Sequence, residues 1–255
     1  MILFKDHKPL KDYDSVSLAE LIRVFSTENF PVAVTTKIGE AVQVASYLHR
    51  YDVRRGGRGK NVSPPYIEHP LRVAIRCFKY FGVEDPNAII AAILHDTVED
   101  HAEDFDAFEG VSIPSGSSPE LARERALEFV AQHFGYRVAR IVEQLSNPIP
   151  PEGQTKAEKL ESYHHKMEKL FNSDEEEEAL VVKASDFVDN AGSLHHHYAY
   201  DDAKVIYFVD RYEPLIPLYV KAFSRPAKIY DADAVLARIN KVAAEFAKFR
   251  AGTKK

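Results

Sequence analysis

His69, His95, Asp96 and Asp186 are the residues whose types and surroundings could do chemistry. His95 and Asp96 are adjacent in "AAILHDTVED" and follow Ile89, Ile90, Ala92, Ile93 and Leu94. A helix with so much apolar surface is expected to be buried. Its imidazole and carboxylates then need partners, because unpaired polar groups are costly to bury. A divalent cation ligated by His95 and Asp96 would supply one. Helical residues four apart share a face. Glu99 therefore falls over His95 and Asp100 over Asp96, beside the cation's open positions. There they could orient or deprotonate a water.

A second array has the same pattern. "EEALVVKASDFVDNAG" runs apolar from Ala179, then presents Asp186 and, four residues on, Asn190. His69 precedes Pro70, and the residue before a proline is pushed away from helical geometry. The sequence thus predicts His69 at a helix cap, its ring pointing off the helix end. Two imidazoles and two carboxylates suit Mn²⁺, Fe²⁺, Ni²⁺ or Zn²⁺, with positions left for water and substrate. A single cysteine, Cys77, excludes an all-thiolate zinc site.

The elements that must position these groups read as helices, giving an all-α fold of about ten. "SVSLAELIRVF" has Ser15 or Ser17 as its possible cap, and a second helix spans Ile38 to about Tyr51. A third starts with Pro70 in its first turn and stops at Gly82. Asp85 caps a fourth, with Pro86 at its first position, that continues through Asp100. Helices follow in "LARERALEFVAQHFG", "YRVARIVEQLS", "TKAEKLESYHHKMEKLF", "DEEEEALVVKASDFVDNAG", "AKVIYFVDRYEPLIPLYVKAF" and "ADAVLARINKVAAEFAKF". The one strand candidate is "FPVAVTT" at 30–36. Two stretches interrupt the pattern, the basic, Gly-rich 54–65 and the Ser/Gly/Pro-rich 108–120. Helices with apolar faces continue past both, so neither reads as a domain linker.

The chain has 255 residues, 45% of them hydrophobic, enough for one decorated domain. Its net charge of −6 argues against a broad nucleic-acid surface. Absence of a membrane-length apolar run, of a signal-peptide core in "MILFKDHK" and of a cysteine pair leads us to expect a soluble, cytoplasmic protein.

In order and approximate spacing, "PYIEHPLRVA", "AAILHDTVED", "HFGYRVARIVEQLS" and "VVKASDFVDNAG" resemble the hydrolase domain of the Rel/SpoT family and its small alarmone hydrolases. The resemblance covers roughly 38–223 and implies an HD-type helical bundle with metal-dependent phosphohydrolase activity. It implies Mn²⁺ held by His69, His95, Asp96 and Asp186, an attacking water positioned by Glu99 and Asp100, and a nucleoside contact at Asn190. It also places basic residues near the substrate's pyrophosphate: Arg54 and Arg55, with Lys60 or Arg58 in the inserted "RGKNVS", and Arg211 in "VDRYEPL". Phe187 and Gly192 depart from the arginines common in the long bifunctional members.

The implied reaction is removal of the 3′-pyrophosphate from (p)ppGpp or its adenosine analogue. No synthetase domain is expected in the remaining chain. The implied partners are a nucleotide substrate and, for an antidote role, a cognate alarmone-synthetase toxin, with no nucleic acid and no membrane. Two alternatives stay open at this stage: an HD nucleotidase or phosphodiesterase acting on another nucleotide, and a non-catalytic nucleotide-binding regulator. His164, His165 and His195 to His197 are read as positions without a role.

Overall fold

Short polar side chains start several of the helices, as sequence grammar requires. Asp14 Oδ1 accepts the Ser17 amide at 2.8 Å, Asp85 Oδ1 accepts that of Asn87 at 2.8 Å, and Ser118 Oγ accepts that of Leu121 at 3.3 Å. Each satisfies an amide that has no partner in the first helical turn. The computed structural model describes residues 9–54, 63–172, 177–192 and 202–252. Arg55, Arg58, Lys60 and His195 to His197 lie outside them.

The helices are α1 (Ser15–Asn29), α2 (Val32–Leu48), α3 (Glu68–Ile75), α4 (Pro86–Leu94), α5 (Thr97–His101), α6 (Pro119–Phe134), α7 (Tyr136–Leu145), α8 (Lys156–Asn172), α9 (Glu177–Ala191), α10 (Asp202–Tyr212), α11 (Ile216–Phe223) and α12 (Ala232–Gly252). The all-α expectation therefore holds. Among the described residues the only extended pairing is the isolated bridge of Val53 with Pro65. Glycine is needed at Gly82 and Gly135, whose φ angles of 66° and 98° end one helical stretch and separate α6 from α7.

Helices α3, α4 and α9 are buried on nearly every side and form the middle of the bundle. Helix α3 packs against α1, α4 and α9, while α4 also touches α2 and α7. One connected set of buried apolar side chains runs from Leu10 to Phe249. Each fully buried Leu, Ile or Phe in it contributes roughly 1.5–3 kcal/mol, which is what can offset burying charges among them.

Local geometry departs from the sequence expectations in five places. The cap of α1 is Asp14, neither Ser15 nor Ser17. "FPVAVTT" is the start of α2, which begins at Val32 and ends at Leu48. Its β-branched residues favour strands only where a pleated neighbour exists, and here the helical spacing of Ile38, Ala41, Ala45 and Leu48 prevails. His69 is not a cap but the second residue of α3, whose cap is Ile67. Pro70 fits there because first-turn amides need no helical partner. The segment expected as one helix through Asp100 is two, α4 and α5, interrupted at His95–Asp96. The late segment "AKVIYFVDRYEPLIPLYVKAF" is likewise divided, with Pro214 and Pro217 each opening a new helical turn.

Candidate metal centre

The helical run is interrupted at His95–Asp96, where the backbone stays in the right-handed region and both side chains reach one point. Local bonds hold the break. His95 Nδ1 donates to the Ala92 carbonyl at 2.8 Å and Thr97 Oγ1 donates to the Leu94 carbonyl at 2.7 Å, using carbonyls that α4 leaves without amide partners.

Helix α3 brings His69 to the same point and α9 brings Asp186. His69 Nε2 lies 3.2 Å from Asp186 Oδ1 and 3.5 Å from Asp96 Oδ2. His95 Nε2 lies 3.1 Å from Asp96 Oδ2 and 3.9 Å from Asp186 Oδ1. The four groups expected to converge do so. Both rings are nearly inaccessible, at 0% and 2% exposure.

Whether these residues fit a cation can be judged from the rings. Both Nε2 atoms are buried and make no well-formed hydrogen bond among the described residues. Both Nδ1 atoms are already engaged, His95 with Ala92 and His69 with Asp189 Oδ2 at 2.8 Å. That assignment leaves each Nε2 lone pair directed at the carboxylates, as a metal-ligating histidine requires. A mixed set of two nitrogens and two carboxylate oxygens fits a divalent transition metal.

The electrostatics agree. Burial disfavours a charged His95, but Asp96 and Asp186 outweigh it and push its pKa up to about 9. Burial likewise opposes ionisation of Asp96 and Asp186, yet His95 for the first and Lys183 for the second hold them below the usual carboxylate range. A charge is being sought at this point, and a proton on His95 supplies it when no cation does.

Orienting contacts surround the four groups. Tyr66 donates its hydroxyl to Asp96 Oδ2 at 2.7 Å. Lys183 reaches Asp186 Oδ2 at 2.9 Å, and Asn190 Nδ2 reaches Asp186 Oδ1 at 2.5 Å. Asn190 thus shares the helix face of Asp186, as the spacing required. Arg54 stands over the centre, bonded to Asn190 Oδ1 and, at 3.2 Å, to Asp189 Oδ2.

Glu99 and Asp100 divide. Both carboxylate oxygens of Glu99 are held by Asn147, through its backbone amide at 2.7 Å and its side-chain amide at 2.8 Å. Asp100 keeps a solvent-facing edge. The protein mass around it, together with Asp96 and Glu99, pushes its pKa up to about 7. A crevice lined by Glu99, Asp100, His101, Arg123 and Asn147 opens beside them. Arg211 lies farther out, its guanidinium 4.2 Å from the centre of the Tyr163 ring. His164 Nε2 donates to the Arg211 carbonyl at 2.9 Å.

Sequence reasoning passed over Asp189 and Lys183. Asp189 is fully buried and meets Arg72 at 3.0 Å and Arg76 at 3.0 Å, besides His69 and Arg54. The signal existed: Asp186 and Asp189 are three apart on an apolar helix, and Arg72 and Arg76 four apart on another.

For the metal-free protein, two opposite pH dependences follow. Burial disfavours the Asp189 charge, but Arg72 and Lys11 hold its pKa well below normal. Its contribution is therefore fully present above the unfolded value of about 4. It is lost as pH falls through the folded value. His95 has the reverse sign: its contribution is full below about 6.5 and fades as pH rises towards 9. Asp100, raised to about 7, has the same sign as His95 and begins to cost stability as pH rises above about 4. Urea midpoints measured with chelator are therefore expected to peak near pH ~4, falling below it with Asp189 and above it first with Asp100 and then with His95.

A helical bundle in which a buried His-Asp pair meets a distant histidine and aspartate is the architecture of the HD-domain family, and the chain belongs to that family. The HD domain model matches residues 66–191. A protein of Danio rerio named guanosine-3′,5′-bis(diphosphate) 3′-pyrophosphohydrolase MESH1 is 31% identical over 148 residues, which are 51% of this chain and 79% of that protein. Its namesake in Mus musculus is 30% identical over 127 residues, 49% of this chain and 56% of that one. A guanosine-3′,5′-bis(diphosphate) 3′-pyrophosphohydrolase of Aquifex aeolicus is 28% identical over 141 residues, 55% of this chain but 16% of the relative. The chain thus matches about half the length of the mouse protein and a small part of the Aquifex one. A solved structure described as a metazoan ortholog of SpoT that hydrolyses ppGpp superposes with a TM-score of 0.53 at 19% identity, covering 85% of this chain and 97% of that one. At that identity the likeness concerns the fold. No helix among the described residues is long and apolar enough to cross a membrane.

Proposed function

We propose that the chain hydrolyses the 3′-pyrophosphate of alarmone nucleotides such as (p)ppGpp, or the adenosine analogues, releasing pyrophosphate and the nucleoside 5′-di- or triphosphate. The observation that carries this reading is the pair of buried Nε2 atoms facing the Asp96 and Asp186 carboxylates. His69, His95, Asp96 and Asp186 would hold a divalent cation, with Mn²⁺ the first choice. When bound, such a cation supplies a Lewis acid for a phosphoryl oxygen and lowers the pKa of water.

The protein's own groups have separable tasks. Asp100, with a pKa near neutrality, takes the proton of the attacking water, the property wanted in a general base working near pH 7. Glu99, fixed by Asn147, sets the wall against which that water is oriented. Arg54 offsets negative charge on the departing pyrophosphate, and its bond to Asn190 ties charge recognition to the nucleoside side. Arg211 extends the cationic side, with its buried Nε lacking a partner among the described residues. Arg55 and Lys60 are proposed to join Arg54, on the resemblance alone. The cell setting that suits this activity is the cytoplasm, with a toxic alarmone synthetase as a partner whose product the chain removes.

A pyrophosphate-release assay comparing guanosine and adenosine 3′-pyrophosphates tests the proposal. Release from neither, with cleavage of ordinary nucleoside monophosphates, would move the assignment to another nucleotide. Glu99→Gln is expected to lower kcat by about a hundredfold, the low end for proton-handling carboxylates, with metal content unchanged. Loss of metal in that variant would contradict the task given to Glu99.

A further inference from the structure

Outside the centre just described, three more potential metal ligands meet. His49 closes α2, Asp52 lies three residues on in the following turn, and His101 ends α5. His49 Nδ1 is 2.8 Å from Asp52 Oδ2, His101 Nε2 is 2.6 Å from the same oxygen, and the two nitrogens are 3.1 Å apart. Three ligand atoms from three residues thus form one tight triangle.

One carboxylate oxygen, Asp52 Oδ2, serves both rings and brings His49 Nδ1 and His101 Nε2 to 3.1 Å from each other, a crowding that a shared cation would relieve. The His49 side chain is fully buried, its ring packs 4.7 Å from that of Tyr66, and its Nε2 makes no hydrogen bond among the described residues. His101 is oriented from behind, since Asp104 Oδ2 lies 2.9 Å from its Nδ1. A carboxylate on the far nitrogen is the arrangement that fixes the tautomer of a ligating histidine. The triangle's edges are slightly shorter than the roughly 3.3 Å edge of a tetrahedron with ~2.0–2.1 Å arms. Opening it takes small movements of Asp52 and His101, whose side chains are 35% and 14% exposed. The same exposure gives an ion a way in and leaves a fourth position for water.

We propose that His49, Asp52 and His101 form a second divalent-metal site, of the His₂Asp type suited to Zn²⁺, with Asp104 as the group that orients His101. The site would join the end of α2 to the end of α5. The first leads, two residues past Asp52, to Arg54; the second carries Glu99 and Asp100. An ion there would tie the charge-recognition side to the water-handling side without ligating either. The proposal does not rest on the assigned reaction.

Zn²⁺ equilibrated with the full chain and then gel-filtered is expected to remain at two equivalents. Asp52→Asn and His101→Gln should each retain one, while Asp186→Ala should retain the other. Asp104→Asn should keep both sites but weaken the second by about 10–100-fold. In the unaltered chain, nitrogen NMR of the imidazoles should show His49 Nδ1 and His101 Nε2 moving with the second equivalent. A single equivalent in the native chain, equal stoichiometry in Asp52→Asn, or His49 and His101 resonances unmoved by Zn²⁺ would each overturn the site. The NMR readout needs no variant, so it decides the matter even if a substitution fails to fold.

Discussion

Asp96→Ala is expected to lower pyrophosphate release by more than about a thousandfold and to strip the metal from the centre at neutral pH. Polarising a phosphoryl oxygen is worth several kcal/mol, and each 1.36 kcal/mol is tenfold in rate. Asp96 Oδ2 faces both imidazoles, at 3.1 and 3.5 Å, so its removal affects two other ligands at once. It also takes away the counter-charge that does most, against the opposing effect of burial, to raise the His95 pKa. Tyr66→Phe is the matched control, because it deletes the 2.7 Å bond to Asp96 and leaves every ligand in place. Metal analysis beside steady-state rates checks the pair. Unchanged turnover in Asp96→Ala would end the assignment of this centre.

The second large effect is on stability. Asp189→Ala is expected to cost roughly 3–5 kcal/mol, the range for breaking a buried ion pair from one side. The carboxylate serves Arg72 and Arg76 at 3.0 Å and Arg54 at 3.2 Å, and the two α3-side guanidiniums have almost no water to replace it. Glu68, 3.6 Å from Arg72, compensates only in part. Losing the 2.8 Å bond to His69 Nδ1 also frees that ring's tautomer, so metal affinity should fall by about 10–100-fold. Urea unfolding with and without added metal separates the two losses. A midpoint shift worth less than about 1 kcal/mol would show that the arginines find other partners.

Particular residues show what could be read without coordinates. The convergence of His69, His95, Asp96 and Asp186 was legible because buried polar groups on apolar helices must be satisfied, and only a few residue types can satisfy one another. The Asp85–Pro86 start and the Gly82 stop were legible because their chemistry is local. The interruption at His95–Asp96 was not. It depends on bonds from His95 and Thr97 to carbonyls of α4, which no periodicity reveals. Helical spacing correctly related Asn190 to Asp186. It could not show that Asn147, 48 residues away in the chain, holds Glu99, nor that α9 and α3 share the Asp189 charge network. Val32 began a helix where alternation suggested a strand, because a strand exists only with a partner and none lies beside it among the described residues.

The crossing at Val53 and Pro65 has a consequence for how such an enzyme can change. Arg54 donates its amide to the Pro64 carbonyl at 2.9 Å, and Tyr66 donates to Asp52 at 2.9 Å, so the chain enters and leaves the basic stretch through one clasp. Closing a longer excursion costs only about 0.6 kcal/mol per doubling of its length. A segment of another size or charge can therefore be grafted above the clasp while Tyr66 and His69 below it stay in register. The charge presented there can change in this way without moving the side chains of the metal centre.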